Sequence, residues 1–155
     1  MTQHVGRRFR RLTLAIMGLL VLEFLVGMGV NLFVVISPYH PGAATSYGMG
    51  ASAGIGWALT AGPLALRLHV ALGMVLGACA LVHTATVCGQ PAAGRLLWFL
   101  MGLGGVLGAS GNGTAFLDGG APLNSMLMSL GFAVARVGYG MAMTPGRPRD
   151  AQPPP

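Results

Sequence analysis

The feature that most constrains this fold is an apolar stretch from Gly62 to Cys88, GPLALRLHVALGMVLGACALVHTATVC. A transmembrane α-helix needs about 20 mainly apolar residues, and this stretch is longer than that. It also contains two histidines, His69 and His83. They are 14 positions apart. On an α-helix, 14 positions correspond to a rise of roughly 21 Å and to a rotation that returns to within about 40° of the same face. Both imidazoles are therefore predicted to point to one side of a membrane-spanning helix, at opposite depths.

Three further apolar runs extend the pattern. Hydrophobic residues make up 54% of the chain and charged residues 8%, whereas about a quarter of the residues in a soluble domain are charged. Such apolar side chains have to face lipid, and α-helices satisfy their own backbone there. The sequence predicts an all-α polytopic membrane protein, with one four-helix bundle over residues 1–144. Its spans are expected at about 12–36, 62–88, 96–117 and 121–143.

The formal net charge of +6 is distributed unevenly. Arginines precede the first span, occupy the connection between the second and third, and follow the fourth: Arg7, Arg8, Arg10, Arg11, Arg95, Arg147 and Arg149. With four spans these places share one side of the membrane, which the positive-inside rule assigns to the cytoplasm. Both termini are expected there, and the basic excess indicates topology rather than nucleic-acid binding. The glycine- and arginine-rich, lysine-free composition hints at a GC-rich bacterial genome, hence a bacterial cytoplasmic (inner) membrane.

Two of the segments outside the predicted spans have a distinctive composition. Residues 42–61 are small, uncharged and weakly apolar. They form either a short helix on the outer leaflet, anchored by Tyr47 and Trp57, or a mobile loop. Residues 145–155 are proline-rich and are expected to be disordered.

Glu23 in the first span and Arg136 in the fourth are the charges well inside the spans, whereas Arg67 lies at the outer end of the second. An ionisable group at such a depth is costly and normally faces protein, water or a partner charge. We predict an ion pair between Glu23 and Arg136 that fastens the first span to the fourth. The alternative for Arg136 is that its long side chain reaches the inner surface, and Glu23 is also a candidate proton carrier.

Small residues suggest where helices approach closely. Gly73 and Gly77 are four positions apart in the second span, as are Gly104 and Gly108 in the third. Such pairs let backbones pack tightly, either between spans or between copies in a homodimer or larger membrane complex. Cys79 and Cys88 fall on opposite helix faces, too far apart along the axis for a disulfide, and are expected to be packing residues.

The segment RLHVALGMVLGACALVH resembles the histidine-bearing helix of membrane b-type cytochromes, including cytochrome b and the ferric-reductase-like proteins. In those families such a helix carries two histidines with thirteen residues between them, often with a nearby arginine and glycines. The resemblance implies that His69 and His83 are metal ligands to haem b. It also implies that Arg67 holds a haem propionate and that Gly73 and Gly77 make room for a porphyrin ring.

The rest of the chain departs from that pattern, because those families supply the opposing ligands from a second histidine-bearing helix. No other predicted span here contains a histidine. The replacements are Met17 opposite His83, His40 opposite His69, or the His69 of a second copy. The alternative is that both histidines lie at interfacial depths and contact headgroups, water or another helix without any cofactor.

These observations leave three functions open. The first is a non-enzymatic accessory or structural helix bundle in the lipid bilayer, and the second is a b-type cytochrome that exchanges electrons with a quinone or partner complex. The third is a small proton-coupled transporter that uses Glu23, although four spans without broken helices give it little support. Nothing indicates a catalytic residue, because no phosphate-binding loop is present and Ser110 and Ser125 lack a histidine at their depth.

Overall fold

The computed structural model of this chain describes residues 3–37, 39–41, 43, 47–88, 93–117 and 122–144. The helices of these residues are α1 (Gln3–Phe33), α2 (Tyr47–Thr60), α3 (Leu64–Cys88), α4 (Ala93–Leu117) and α5 (Pro122–Met143). All but α2 are long and apolar enough to cross a membrane. The predicted all-α class is confirmed, as are four helices of membrane-spanning length. The proposed disordered tail, residues 145–155, lies outside the described residues.

The helix boundaries differ from the predicted spans mainly at the beginning of the chain. α1 begins at Gln3, so the basic segment continues the first span as helix rather than preceding it. Arginine is a good helix former, and no proline interrupts this segment. α4 runs through Asn112, whose side-chain amide donates to the Gly108 carbonyl at 2.8 Å, so this polar group finds a partner within the helix. α5 begins at Pro122, where the missing amide hydrogen costs nothing.

The four long helices alternate in direction. α1 and α4 begin at the end of the bundle where α3 and α5 finish, and we call this the terminal end. At the opposite end, α2 packs against α3 and α4, and we call this the α2 end. Its small core is formed by Val30, Ala58, Leu66 and Leu117. Within residues 42–61, the helical alternative is therefore the one observed over 47–60.

The closest helix pair is α4 and α5, which touch backbone to backbone. A Cβ added at Gly138 would lie 2.5 Å from the Gly102 nitrogen, and one added at Gly105 would lie 2.5 Å from the Ala135 nitrogen. Glycine makes this approach feasible because it has no side chain at the contact. The predicted close packing of Gly104 and Gly108 between spans is wrong, since an added Cβ at either meets nothing within 4 Å. Gly102 and Gly105 lie on the face that meets α5.

The outside of the bundle is strongly apolar. Large hydrophobic side chains are widely exposed on all four long helices, among them Leu25, Leu68, Val82, Leu97 and Leu130. A soluble monomer rarely exposes so continuous an apolar surface, whereas lipid covers it at no cost. Cys79 and Cys88 are also exposed and form no disulfide. The surface thus agrees with a multi-pass membrane protein.

Gly138→Ala is expected to force α4 and α5 apart, because the new methyl group meets backbone atoms that cannot rotate away. Overpacking of this kind costs about 1–3 kcal/mol in the free energy of unfolding. The matched control is Gly140→Ala, two residues along the same helix, where an added Cβ meets nothing within 4 Å. Denaturant titration in mixed micelles measures the free energy of unfolding of both variants. An equal loss of stability in Gly138→Ala and Gly140→Ala would contradict the packing described here.

Candidate functional site

The most polar contact inside the bundle joins α1 to α3. The Glu23 carboxylate oxygen Oε1 lies 3.0 Å from Nδ1 of His69, and the side chains are 17% and 23% exposed. It becomes an ion pair when His69 carries a proton. An acid and a base in contact between two apolar helices stabilise each other's polar groups.

Two glycines make room for this contact. Gly27 follows Glu23 by one helical turn, and a Cβ added there would lie 2.8 Å from Cε1 of His69. Gly73 follows His69 by one turn, and a Cβ added there would lie 2.9 Å from Oε1 of Glu23. Because α1 and α3 run antiparallel, each polar side chain occupies the recess left by the glycine of the facing helix. We call these four residues the α1–α3 polar contact.

The α1–α3 polar contact is not fully satisfied. Oε2 of Glu23 and Nδ1 of His69 are buried and lack an aligned hydrogen-bond partner among the described residues. The 3.0 Å approach is therefore electrostatic rather than a well-formed hydrogen bond. A buried polar contact that is only partly satisfied keeps room for a further hydrogen bond.

A second polar contact between the same helices lies at the terminal end. The Thr13 hydroxyl donates to the Phe9 carbonyl at 3.1 Å, and its oxygen lies 2.9 Å from Nε2 of His83. A hydroxyl has one hydrogen, which the carbonyl takes, so Nε2 of His83 is the donor to Thr13. The imidazole is 3% exposed and is enclosed by Phe9 and Phe99, with ring centroids at 5.3 and 5.0 Å. His83 is thus fixed as a packed core residue.

Tyr139 of α5 completes the packing at the terminal end. Its ring lies against Gly102, where an added Cβ would be 2.9 Å from Cε2. The Tyr139 and Thr84 hydroxyls interact across the bundle without forming an aligned hydrogen bond, and both are buried. α3, α4 and α5 are therefore brought together around one phenol.

The predicted ion pair between Glu23 and Arg136 is wrong in this structure, because Glu23 contacts His69 instead. Arg136 Nη1 donates to the Met17 carbonyl at 3.3 Å. Met17 precedes Glu23 by six residues, which places that carbonyl roughly 9 Å nearer the terminal end. Arg136 nevertheless links the first span to the last, as the ion pair was expected to do. Near the other end, Ser125 and Asn31 make a 3.4 Å contact between the same two helices.

The remaining candidates have separate roles. Arg67 is exposed, and its Nε donates to the Gly62 carbonyl at 2.6 Å at the start of α3. An added Cβ at Gly77 meets nothing within 4 Å. His40 contacts the Leu117 carbonyl rather than His69. Sequence reasoning missed Thr13, which carries no distinctive pattern, and Gly27, whose spacing from Glu23 repeats that of Gly73 from His69.

The residues proposed for haem do not fit that group in the arrangement observed. An axial ligand needs a ring nitrogen that faces an open crevice. The nitrogen Nε2 of His83 donates to Thr13, and Phe9 and Phe99 flank its ring. The recess at Gly73 is filled by Glu23, and His69 lies against Gly27. In the part of the chain that the structure describes, no three His, Cys, Asp or Glu residues group as a metal site.

Comparison with protein-family models, curated proteins and solved structures finds no match to this chain.

The variants Glu23→Gln and His69→Gln are each expected to destabilise the protein by depriving the other side chain of its acid–base partner. A double-mutant cycle should give a coupling of about 1–3 kcal/mol in the free energy of unfolding, the range for contacting residues. The matched control combines Glu23→Gln with His83→Gln, which are not in contact and should be additive within about 0.5 kcal/mol. If the effects of the Glu23 and His69 substitutions were also additive, their contact would contribute nothing to the free energy of unfolding.

Proposed function

We propose that this chain is a non-enzymatic helix bundle of a bacterial cytoplasmic membrane, with both termini in the cytoplasm, that serves as a structural or accessory subunit. The observation that carries the proposal is how its polar residues are used. Glu23, His83 and Arg136 each contact a helix other than their own, so that α1 is joined to α3 and to α5. Side chains used in this way specify which helices pack together.

A second observation supports a structural role for the α1–α3 polar contact. Each side chain has a glycine recess in front of it, on the opposite helix. Such reciprocal recesses accommodate two large side chains that cross between helices. Position 23 faces Gly73 and position 69 faces Gly27, so a purely structural role predicts that the acid and the base can be exchanged.

The exchanged variant Glu23→His/His69→Glu therefore tests the proposal directly. A structural role predicts that the exchange recovers most of the free energy of unfolding lost in Glu23→Ala, and a comparable share of the protein level in membranes. Gly73→Leu added to the exchanged variant serves as the control, because it fills the recess. If the exchanged variant is as unstable as Glu23→Ala, the contact has a role that requires the carboxylate at position 23 and the imidazole at position 69.

The packing around the two histidines also bears on the cytochrome alternative. Because His83 donates to Thr13 and His69 lies against Gly27 and Glu23, haem would require both contacts to open. We expect the purified protein, expressed with ample haem, to give a reduced-minus-oxidised visible spectrum without haem bands. Bands lost stepwise in His69→Ala and His83→Ala would overturn the structural proposal in favour of a di-haem cytochrome.

A proton-coupled transporter is favoured by one observation, namely the unsatisfied Oε2 of Glu23 beside His69. The layer between the two polar contacts speaks against a path across the bundle. It consists of buried apolar residues, Ile16 and Leu20 on α1 with Leu76 and Ala80 on α3. A proton needs water or polar groups to cross such a layer. Proteoliposomes with a pH-sensitive dye inside should therefore show no proton flux above that of Glu23→Gln.

The accessory role predicts a partner. A tagged chain produced from its own chromosomal locus and extracted in mild detergent is expected to migrate in native gels as a complex larger than its 15.8 kDa allows. Mass spectrometry of that band should return a membrane protein in fixed ratio. Migration as a monomer would leave a self-contained bundle and remove the accessory part of the proposal.

A further inference from the structure

His40 lies at the α2 end of the bundle and is almost completely buried, at 6% exposure. Its imidazole is stacked on the indole of Trp57, with ring centroids 4.7 Å apart and planes inclined by 18°. Gly54 lies beneath, where an added Cβ would be 3.9 Å from Cε1 of His40. The side chain thus joins the segment after α1 to both α2 and α4.

Both ring nitrogens of His40 contact backbone carbonyls. Nε2 lies 2.6 Å from the Leu117 oxygen, and Nδ1 lies 3.0 Å from the Pro41 oxygen. A carbonyl oxygen only accepts hydrogen bonds, so each nitrogen must carry a hydrogen to make its contact. A neutral imidazole has one N–H group and an imidazolium has two. The two contacts together are therefore those of a protonated, positively charged His40.

The surroundings favour a positive charge at this point. Leu117 is the last residue of α4, so its carbonyl is one of those left without a partner inside the helix. The carboxyl end of a helix carries partial negative charge, which a cation stabilises. α4 has no basic residue of its own in its last turn. The Trp57 ring face adds a further attraction for a cation.

No described charge on the neighbouring helices competes for this role. α2 has no Asp, Glu, Lys, Arg or His, and the one such residue of α4 is Arg95, near its other end. Arg67 of α3 donates to the Gly62 carbonyl, and His69 contacts Glu23 deeper in the bundle. Asp118, which follows Leu117, lies outside the described residues.

We propose that His40 is a proton-binding site at the α2 end of the bundle. The protonated imidazole caps the carboxyl end of α4 and holds the segment after α1, together with α2, against it. Loss of the proton removes one of the two hydrogen bonds and the attraction to the helix end. The cap is therefore formed at acidic pH and weakens as the pH rises, so α2 is held most firmly in acid.

The first test observes the proton directly and needs no variant. With histidine labelled with ¹⁵N in the ring and the protein in lipid nanodiscs, the His40 signals are assigned through the backbone of residue 40. At about pH 5, within the range where histidine changes charge, both ring nitrogens should show an attached hydrogen and the shifts of an imidazolium. A single protonated nitrogen at that pH would overturn the proposal.

The second test measures the consequence for α2. After correction for intrinsic rates, amide hydrogen exchange over residues 49–60 and 113–117 should become roughly tenfold faster between about pH 5 and pH 8, as expected for losing a charge-assisted hydrogen bond. In His40→Gln, which keeps a neutral amide donor but cannot become charged, the corrected rates should be independent of pH. Residues 126–140 of α5 provide the internal control. The proposal would be overturned if the corrected exchange rates over α2 in the unmodified protein were as independent of pH as those expected for His40→Gln.

Discussion

The architecture depends on the cost of placing an acid and a base inside an apolar bundle. Glu23 and His69 are largely buried between α1 and α3, and each is the nearest polar partner that the described residues offer the other. Gly27 and Gly73 make the approach feasible, because any side chain there would occupy the same space. The contact fixes the relative height of α1 and α3.

The second constraint is the backbone contact between α4 and α5. Helices in a membrane gain little from burying apolar side chains, since lipid is equally apolar, and they associate through close packing. Gly102, Gly105 and Gly138 allow that packing. Tyr139 then extends over Gly102 towards Thr84 and ties the α4–α5 pair to α3. The polar contacts of α1 and the glycine contacts of α4 and α5 therefore both hold helices together in lipid, the first through polar side chains and the second through close backbone packing.

Sequence reasoning found most of the important residues but paired several of them incorrectly. Glu23, His69, His83 and Arg136 stand out because ionisable groups are rare in apolar helices. Their partners depend on helix rotation and neighbour order, which charge alone does not specify. Counting depth along each helix brought Glu23 near Arg136, yet α1 presents Glu23 to α3, and Arg136 contacts the Met17 carbonyl. Likewise, the spacing of Gly104 and Gly108 is correct for packing, but those residues point away from α5.

The sequence by itself determined the all-helical class and the number of long apolar helices. Both follow from local composition, because a run of about 20 apolar residues has few alternatives to a membrane-spanning helix. Only the tertiary structure decided that His83 donates to Thr13, that Glu23 contacts His69, and that His40 caps α4. These contacts join residues far apart in the chain, and they depend on the rotation of each helix about its axis. That rotation is set by the fit of side chains into recesses on neighbouring helices, which no single helix specifies.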